Sequence, residues 1–340
     1  MSTASEARGG GAASGGGEPG APVRYIDALN AGLAAAIEED ERVVLIGIDV
    51  GAGGGIFRVT KGLYDRFGPR RVIDTPISEM GFVGAAVGAA MTGLRPIVEI
   101  MFMDFVGVCM DPILNQAAKL RYMTAGALEI PIVFRMQTGA GKSAGAQHSQ
   151  SLETWFAHVP GLKVVLPGSV ADARDLLLAS VRDPNPVVFV ENRRLYSMKG
   201  DVEAEPLPLG RARVARPGEE VTVVTWGQML RVCLAAAEES AASLEVVDLR
   251  SLVPLDIETV LDSTRRTGRL LIVHEAVRDF GAGAEIAARV ADLMFDELRT
   301  PVKRIGAPPV PMPFSPDLER GLMPTSKAVA SAAESLKAEG

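Results

Sequence analysis

Tyr25, Ile26, Leu29, Leu33, Ala36 and Ile37 recur at the three-and-four spacing of a helix with one buried face. The four apolar residues 43–46 that follow predict a strand covered on both sides. The same alternation continues. Strand-like runs fall at 71–74, 96–100, 131–135, 163–166 and 187–190, and helical runs between them at 61–67, 78–91, 111–122 and 170–181. Near-continuous apolar strands separated by helices need crossover connections, which predicts a mainly parallel sheet with helices on both faces. A polar, proline-bearing stretch at 199–217 breaks the rhythm. Beyond it comes a shorter series: strands 221–225, 244–247, 269–274 and 302–305, with helices 230–240, 256–266 and 282–298. The fold class is therefore α/β, with two doubly wound domains at 23–200 and 218–338 and a linker at 201–217. Pro308, Pro309, Pro311, Pro313 and Pro316 predict an extended surface segment before a last helix from about Ser326.

Candidate chemistry sits at the ends of the predicted strands. Glu79 opens an apolar, glycine-rich helix that Ser78 can cap, and Gly81, Gly84 and Gly88 leave one face of that helix thin. A carboxylate held there in apolar surroundings can hydrogen-bond a heterocyclic nitrogen, although an ordinary first-turn residue complementing the helix dipole has the same pattern. Phe102 and Phe105 flank Asp104 just after a strand, where aromatic side chains either stack on a planar ring or pack the core. Gln147-His148-Ser149-Gln150 follows a small-residue loop after the 131–135 strand, the usual location of ligand contacts in parallel sheets. A histidine there either exchanges protons near neutral pH or braces its loop. His158, among Trp155, Phe156 and Val159, reads as a packing residue, and His274, which ends a strand beside Glu275 in the second domain, is set aside with it. The glycine-rich stretch 47–55 has neither the G-x-G-x-x-G spacing nor a P-loop lysine, and reads as a flexible turn close to a ligand or subunit.

Composition narrows the classes. With 35 basic against 42 acidic residues the net charge is −7, which gives no basic footprint for nucleic acid or an anionic membrane. Cys109 and Cys233 are the only cysteines, so a reducing, cytoplasmic setting is expected, with neither a disulfide framework nor a thiolate metal site. The apolar stretch 80–94 is too short to span a bilayer. Residues 1–22 are rich in Gly and Ser, contain almost nothing to bury, and are read as a disordered tail.

The ordered set of segments GIFRVTKGL, TPISEMGFVGAAVGAAMTGLRPIVE, NQAAKLRYM, QHSQS, PGLKVV, DPNPVVFVEN, EVVDLRSLVPLD and GAGAEIAARV closely resembles the beta subunits of thiamine-diphosphate-dependent 2-oxo acid dehydrogenases. The resemblance runs from about Arg24 to Thr325. The Asp-Phe-Val-Gly-Val-Cys stretch at 104–109 is most similar to the acetoin dehydrogenase branch, with pyruvate dehydrogenase next. It implies a first domain that binds the aminopyrimidine of thiamine diphosphate and a smaller transketolase C-terminal-type domain. Glu79 matches the glutamate that hydrogen-bonds the pyrimidine ring nitrogen, and Phe105 matches the aromatic packed on that ring. Ile77 falls among the cofactor contacts, and His148 matches the histidine that assists substrate protonation and acyl transfer. Ile132, Ser180, Asp183 and Asn185 fall where relatives bind a structural potassium ion, largely through carbonyl oxygens.

The family's Gly-Asp-Gly stretch and paired asparagines, which hold magnesium and the diphosphate, have no counterpart here. The resemblance therefore implies an alpha subunit that completes the site in a heterotetramer, and a lipoyl acyltransferase as acceptor of the two-carbon unit. Ile48 stands where many relatives carry a glutamate, and Pro112 replaces a common glutamine. Two other readings remain open at this point: a two-subunit transferase passing its unit to a sugar or other acceptor, and a non-catalytic nucleotide- or flavin-binding module.

Overall fold

The computed structural model of the chain describes residues 22–202, 206 and 208–339; the predicted tail lies, apart from Pro22, outside the described residues. In the first domain β1 (Val23–Arg24) leads into α1 (Tyr25–Glu39), and β2 (Val43–Gly47), α2 (Leu63–Phe67), β3 (Val72–Asp74), α3 (Glu79–Met91) and β4 (Arg95–Ile100) follow. A 3-10 turn at Met103–Val108, a π-helix at Pro112–Ala117 and α4 (Ala118–Met123) then lead to β5 (Val133–Thr138). The domain continues with α5 (Glu153–Ala157), β6 (Lys163–Val165), α6 (Val170–Arg182), β7 (Val187–Asn192) and the short β8 (Lys199–Gly200), which pairs with β1. The second domain comprises β9 (Arg213–Arg216), β10 (Val221–Thr225), α7 (Met229–Glu239), β11 (Leu244–Asp248), β12 (Ser251–Val253) and α8 (Ile257–Thr267). It ends with β13 (Leu270–Val277), α9 (Ala282–Met294), β14 (Lys303–Ala307), α10 (Pro316–Leu322) and α11 (Ser326–Glu339).

The first sheet runs β12-β6-β7-β5-β4-β2-β3 and the second β14-β13-β10-β11-β9, with every pairing parallel except those of β12 and β9. The parallel alternation predicted from the apolar runs is thus present in both domains. Strands β2, β5, β7, β10 and β11 are buried along their whole length, as two-sided coverage requires.

Several features depart from the predicted elements: α5 is not among them, and α10 begins at Pro316, inside the segment expected to be extended. Strand β9 lies inside the stretch read as linker and closes the second sheet by antiparallel pairing with β11. The three residues of β12 leave their own domain and add to the first sheet beside β6. The single helix predicted at 111–122 is wound as the π-helix over Pro112–Ala117 and as α4 from Ala118 onward.

Helix boundaries follow local chemistry. Ser169 Oγ accepts the Asp172 N–H at the start of α6, Asp256 Oδ1 accepts the Thr259 N–H at the start of α8, and left-handed Gly268 (φ 70°) stops α8. Ser78 occupies the N-cap position of α3, yet its hydroxyl accepts no helix N–H, so the expected side-chain cap is not formed. Among the described residues, no helix is long and apolar enough to cross a membrane.

Candidate functional site

The carboxyl ends of β4, β5 and β7 converge on one end of the first sheet, and the side chains singled out in the sequence gather there. The turn after β4 carries Phe102 and Phe105, whose ring centroids are 5.4 Å apart at an interplanar angle of 60°. The loop after β5 brings His148 edge-on to both, 4.8 Å from Phe102 and 5.4 Å from Phe105. Phe57, from the loop after β2, closes the cluster at 5.2 Å from Phe102. Edge-to-face packing fixes the imidazole plane without consuming its ring nitrogens. Neither nitrogen of His148 makes a hydrogen bond among the described residues.

Glu79 begins α3, which packs on the turn carrying Phe105. Its residue is 8% exposed, and its carboxylate makes no hydrogen bond or ion pair among the described residues. Its oxygens are absent from the fully buried unpaired polar atoms, so the carboxylate opens to the surface of the chain with acceptor capacity free for a ligand. The negative charge of Glu79 is felt by neighbouring Cys109, whose thiol is pushed up to about 12, chiefly by burial and secondarily by that charge. Cys109 and Cys233 are both buried and free. Ile77, in the segment leading into α3, is 83% exposed, so its side chain faces outward from the chain.

The loop between β5 and His148 is held by groups that carry no signal in the sequence. Arg193 donates from Nη2 to the His148 carbonyl at 3.2 Å and lies with its guanidinium carbon 5.9 Å from the Phe102 ring centre. Burial lowers its pKa, opposed by the charges of Glu319, Asp104 and Glu275. Gln150 donates both its backbone N–H (3.1 Å) and its side-chain amide (2.9 Å) to Asp104 Oδ1, which ties the loop to the aromatic turn. Beneath the cluster, Arg135 bridges Glu99 (2.7 Å) and Glu191 (2.6 Å), and Tyr196 donates to Glu191 (2.8 Å), so three buried charges satisfy one another. On the side facing the second domain, a cavity of about 370 Å³ opens between the loop, at Ser149 and Gln150, and the proline segment, at Pro309 and Met312, with Glu275 in its wall.

Other expectations resolve differently. The glycine turn at 47–55 is pinned rather than flexible: the Gly51 N–H is taken by Asp74 Oδ1 at 2.6 Å, and Gly55 N–H by the Asp49 carbonyl at 2.8 Å. An amide already occupied by the chain's own carboxylate does not cradle a phosphate. His274 is fully buried, stacked on Trp226 at 5.2 Å, and lowered to about 4 by burial. His158 is exposed on the wall of a separate interdomain cleft, so the packing role expected for it is not realised. The four residues expected to bind potassium meet at one corner, where β5 and β7 begin and α6 ends. There the Ile132 carbonyl accepts the Val187 N–H and the Ser180 carbonyl the Asp183 N–H. Asp183 pairs with Lys163, and Asn185 Oδ1 accepts from Arg121, so these side-chain oxygens are engaged by the chain's own cations.

Comparison with known proteins agrees with this arrangement. The transketolase pyrimidine-binding domain matches residues 21–199, and the transketolase C-terminal domain matches residues 210–329. The acetoin:2,6-dichlorophenolindophenol oxidoreductase subunit beta of Bacillus subtilis is 46% identical over 322 residues, spanning 90% of this chain and 94% of the relative. The mitochondrial pyruvate dehydrogenase E1 component subunit beta-2 of Oryza sativa subsp. japonica is 45% identical over 317 residues, spanning 91% of this chain and 84% of the relative. A solved split-gene transketolase, described as an inactive beta4 tetramer, shares the fold with a TM-score of 0.75 at 22% identity, covering 93% of this chain and 98% of that one. The two domain matches and the relatives run almost the whole length of the chain, and on them it belongs to the thiamine-diphosphate-dependent, transketolase-like family that includes the beta subunits of acetoin and pyruvate dehydrogenases.

Proposed function

We propose that this chain is the catalytic beta subunit of a thiamine-diphosphate enzyme that cleaves the carbon–carbon bond next to the carbonyl of acetoin or of a small 2-oxo acid such as pyruvate. The two-carbon unit then passes to a lipoyl acyltransferase. One observation carries the reading: Glu79 is a nearly buried carboxylate without a protein partner, packed beside an aromatic cluster that holds a histidine whose ring nitrogens are free. That donor set fits an aminopyrimidine, which needs an anionic acceptor at a ring nitrogen and an aromatic face against its ring. Glu79 and Phe105 would hold it, with Ile77 at the exposed margin of the same end. When bound, thiamine diphosphate supplies a nucleophilic carbon and a sink for the electrons released on bond cleavage. Glu79 keeps a proton shared with the ring nitrogen, and His148 gives or takes a proton at the substrate oxygen. The aromatic rings exclude water around both.

The magnesium ion and the diphosphate would be held mainly by an alpha subunit. Among the described residues, no cluster of three or more His, Cys, Asp or Glu side chains is placed to hold a metal ion. The relatives are named as beta subunits, and here Ile77, Met80, Val108, Tyr122 and Met123 are exposed on or near α3 and α4, which suits a heterotetramer. A potassium ion bound through backbone carbonyls at Ile132, Ser180, Asp183 and Asn185 belongs to the same reading, supported by the convergence of those residues. The two buried free cysteines support a reducing, cytoplasmic location.

Glu79→Gln is the direct test. The amide fills the same space but does not carry the charge that favours the protonated ring nitrogen, so proton exchange at the thiazolium carbon should fall by about 10²-fold or more while assembly persists. Wild-type exchange in the variant would remove Glu79 from the mechanism.

A further inference from the structure

The loop that delivers His148 leaves β5 through Gly139 (φ 98°), Gly141 (φ 91°) and Ser143 (φ 54°). Backbone in this succession turns several N–H groups toward one concave side, which makes a nest for an anion. Here the anion is the protein's own. Glu319, on α10 of the second domain and 2% exposed, accepts the Gly141 N–H at Oε1 (2.8 Å) and the Ser143 N–H at Oε2 (2.8 Å), with the Ser143 hydroxyl at 3.4 Å. Glu275, from the end of β13, takes the Ala140 N–H at 2.6 Å and is bound in turn by Asn192 Nδ2 at 2.8 Å. Glu319 makes no ion pair within 4.0 Å among the described residues, so the loop amides are its direct partners; its charge is felt by Arg193, which holds the far end of the loop at the His148 carbonyl.

A buried carboxylate satisfied mainly by backbone amides is a costly arrangement unless the geometry it fixes matters, because the same loop closed by neutral groups would avoid the desolvation of a charge. What it fixes is the path between a sheet strand and His148. Both carboxylates come from the other domain, so the position of the imidazole depends on how the two domains are docked.

We propose that Glu319 is a positioning residue for the reaction: by filling the amide nest at Gly141 and Ser143, it anchors the His148 loop to the C-terminal domain and sets the imidazole against Phe102 and Phe105. This rests on the reading that His148 acts on the substrate after the cofactor has been activated. The amides of Ala140, Gly141 and Ser143 are already taken by the chain's own carboxylates.

The test uses the full chain assembled with its alpha subunit, in the variants Glu319→Gln, Glu319→Ala and His148→Ala. A glutamine accepts at one oxygen only and presents an NH2 to the other amide, so one of the two nest bonds is lost. Expected in Glu319→Gln is faster amide hydrogen exchange at residues 141–143, with the rest of the second domain unchanged. Proton exchange at the thiazolium carbon should stay at the wild-type rate, while kcat for donor turnover falls about 10- to 100-fold with KM little altered. Glu319→Ala should show the same pattern more strongly and be partly rescued by added acetate, which fits the vacated nest. Unchanged exchange at 141–143, or wild-type turnover in Glu319→Gln while His148→Ala is slow, overturns the proposal. Exchange raised throughout the second domain overturns it too, by showing a general loss of structure. If His148→Ala itself turns over at the wild-type rate, the reading of the histidine falls, and the proposal with it.

Discussion

Glu79, Phe105 and His148 owe their meeting to three separate strand ends, and each keeps one capability unspent: a carboxylate without a partner, a ring face, an imidazole with both nitrogens free. Their roles are separable. His148→Ala is expected to leave cofactor affinity and thiazolium exchange nearly intact while slowing donor processing about 10²- to 10⁴-fold, the usual contribution of a positioned proton-transfer group. Single-turnover kinetics beside a cofactor titration checks this, and an equal loss of cofactor affinity in the Glu79 and His148 variants would show the roles wrongly divided. These residues were legible in the sequence because each lies in a contiguous motif next to a predicted strand. Arg193 and Glu319 were not. Their partners lie 45 and 176 positions away, at His148 and Ser143, and nothing in Asn-Arg-Arg or Asp-Leu-Glu-Arg distinguishes an anchoring charge from a solvated one.

Among the elements, α3 shows most clearly how sequence becomes function. Its buried side, Phe82, Val83, Ala86, Val87 and Ala90, packs into the first core, while Gly81, Ala85 and Gly88 form an exposed line of small residues. A Cβ added at Gly84 or Gly88 would meet nothing within 4 Å in this chain. Gly88→Ala should therefore stabilise the isolated chain by about 0.5–1 kcal/mol through helix propensity. Gly88→Leu should leave the chain folded yet weaken assembly with the alpha subunit; thermal unfolding and sedimentation separate the two effects, and full assembly of the leucine variant would show that this face is not the contact. The apolar runs foretold every long strand and both parallel sheets, because two-sided burial leaves an unbroken apolar signature. Strands β9 and β12 escaped because they are short and owe their pairing to partners elsewhere, β12 even to the other domain. The π-helix escaped because a wider turn has the same apolar composition as a normal one.

At the scale of the whole molecule the two domains are joined by buried polar contacts as well as by β12. Arg250 pairs with Asp172 at 2.8 Å, Trp226 Nε1 donates to Glu153 at 3.3 Å, and Glu275 and Glu319 bind the His148 loop. Burial pushes Glu275 up to about 7 from an ordinary 4.5, and Asp248, beside Asp172, also to about 7. A carboxylate whose folded pKa is raised binds more protons in the native than in the unfolded state, so its contribution to stability is full below the unfolded value and is lost as the pH rises through about 7. The chain should lose stability between about pH 5 and pH 8, with Glu275 alone accounting for on the order of 3 kcal/mol. Glu275→Gln should flatten that slope in denaturant titrations; an unchanged slope would mean that the carboxyl ionises without cost in the folded state.

The account's central claim is that this chain carries the pyrimidine half of a site completed by another subunit. Calorimetric titration of thiamine diphosphate with magnesium, into the purified chain and into the chain co-assembled with its alpha subunit, tests it most directly. The chain alone should show weak binding or none, because an aromatic face and one carboxylate leave the diphosphate, the strongest electrostatic anchor, unheld. The assembled protein should bind the cofactor tightly in a magnesium-dependent way and turn over its donor. Tight, magnesium-dependent binding and turnover by the chain alone would contradict the account.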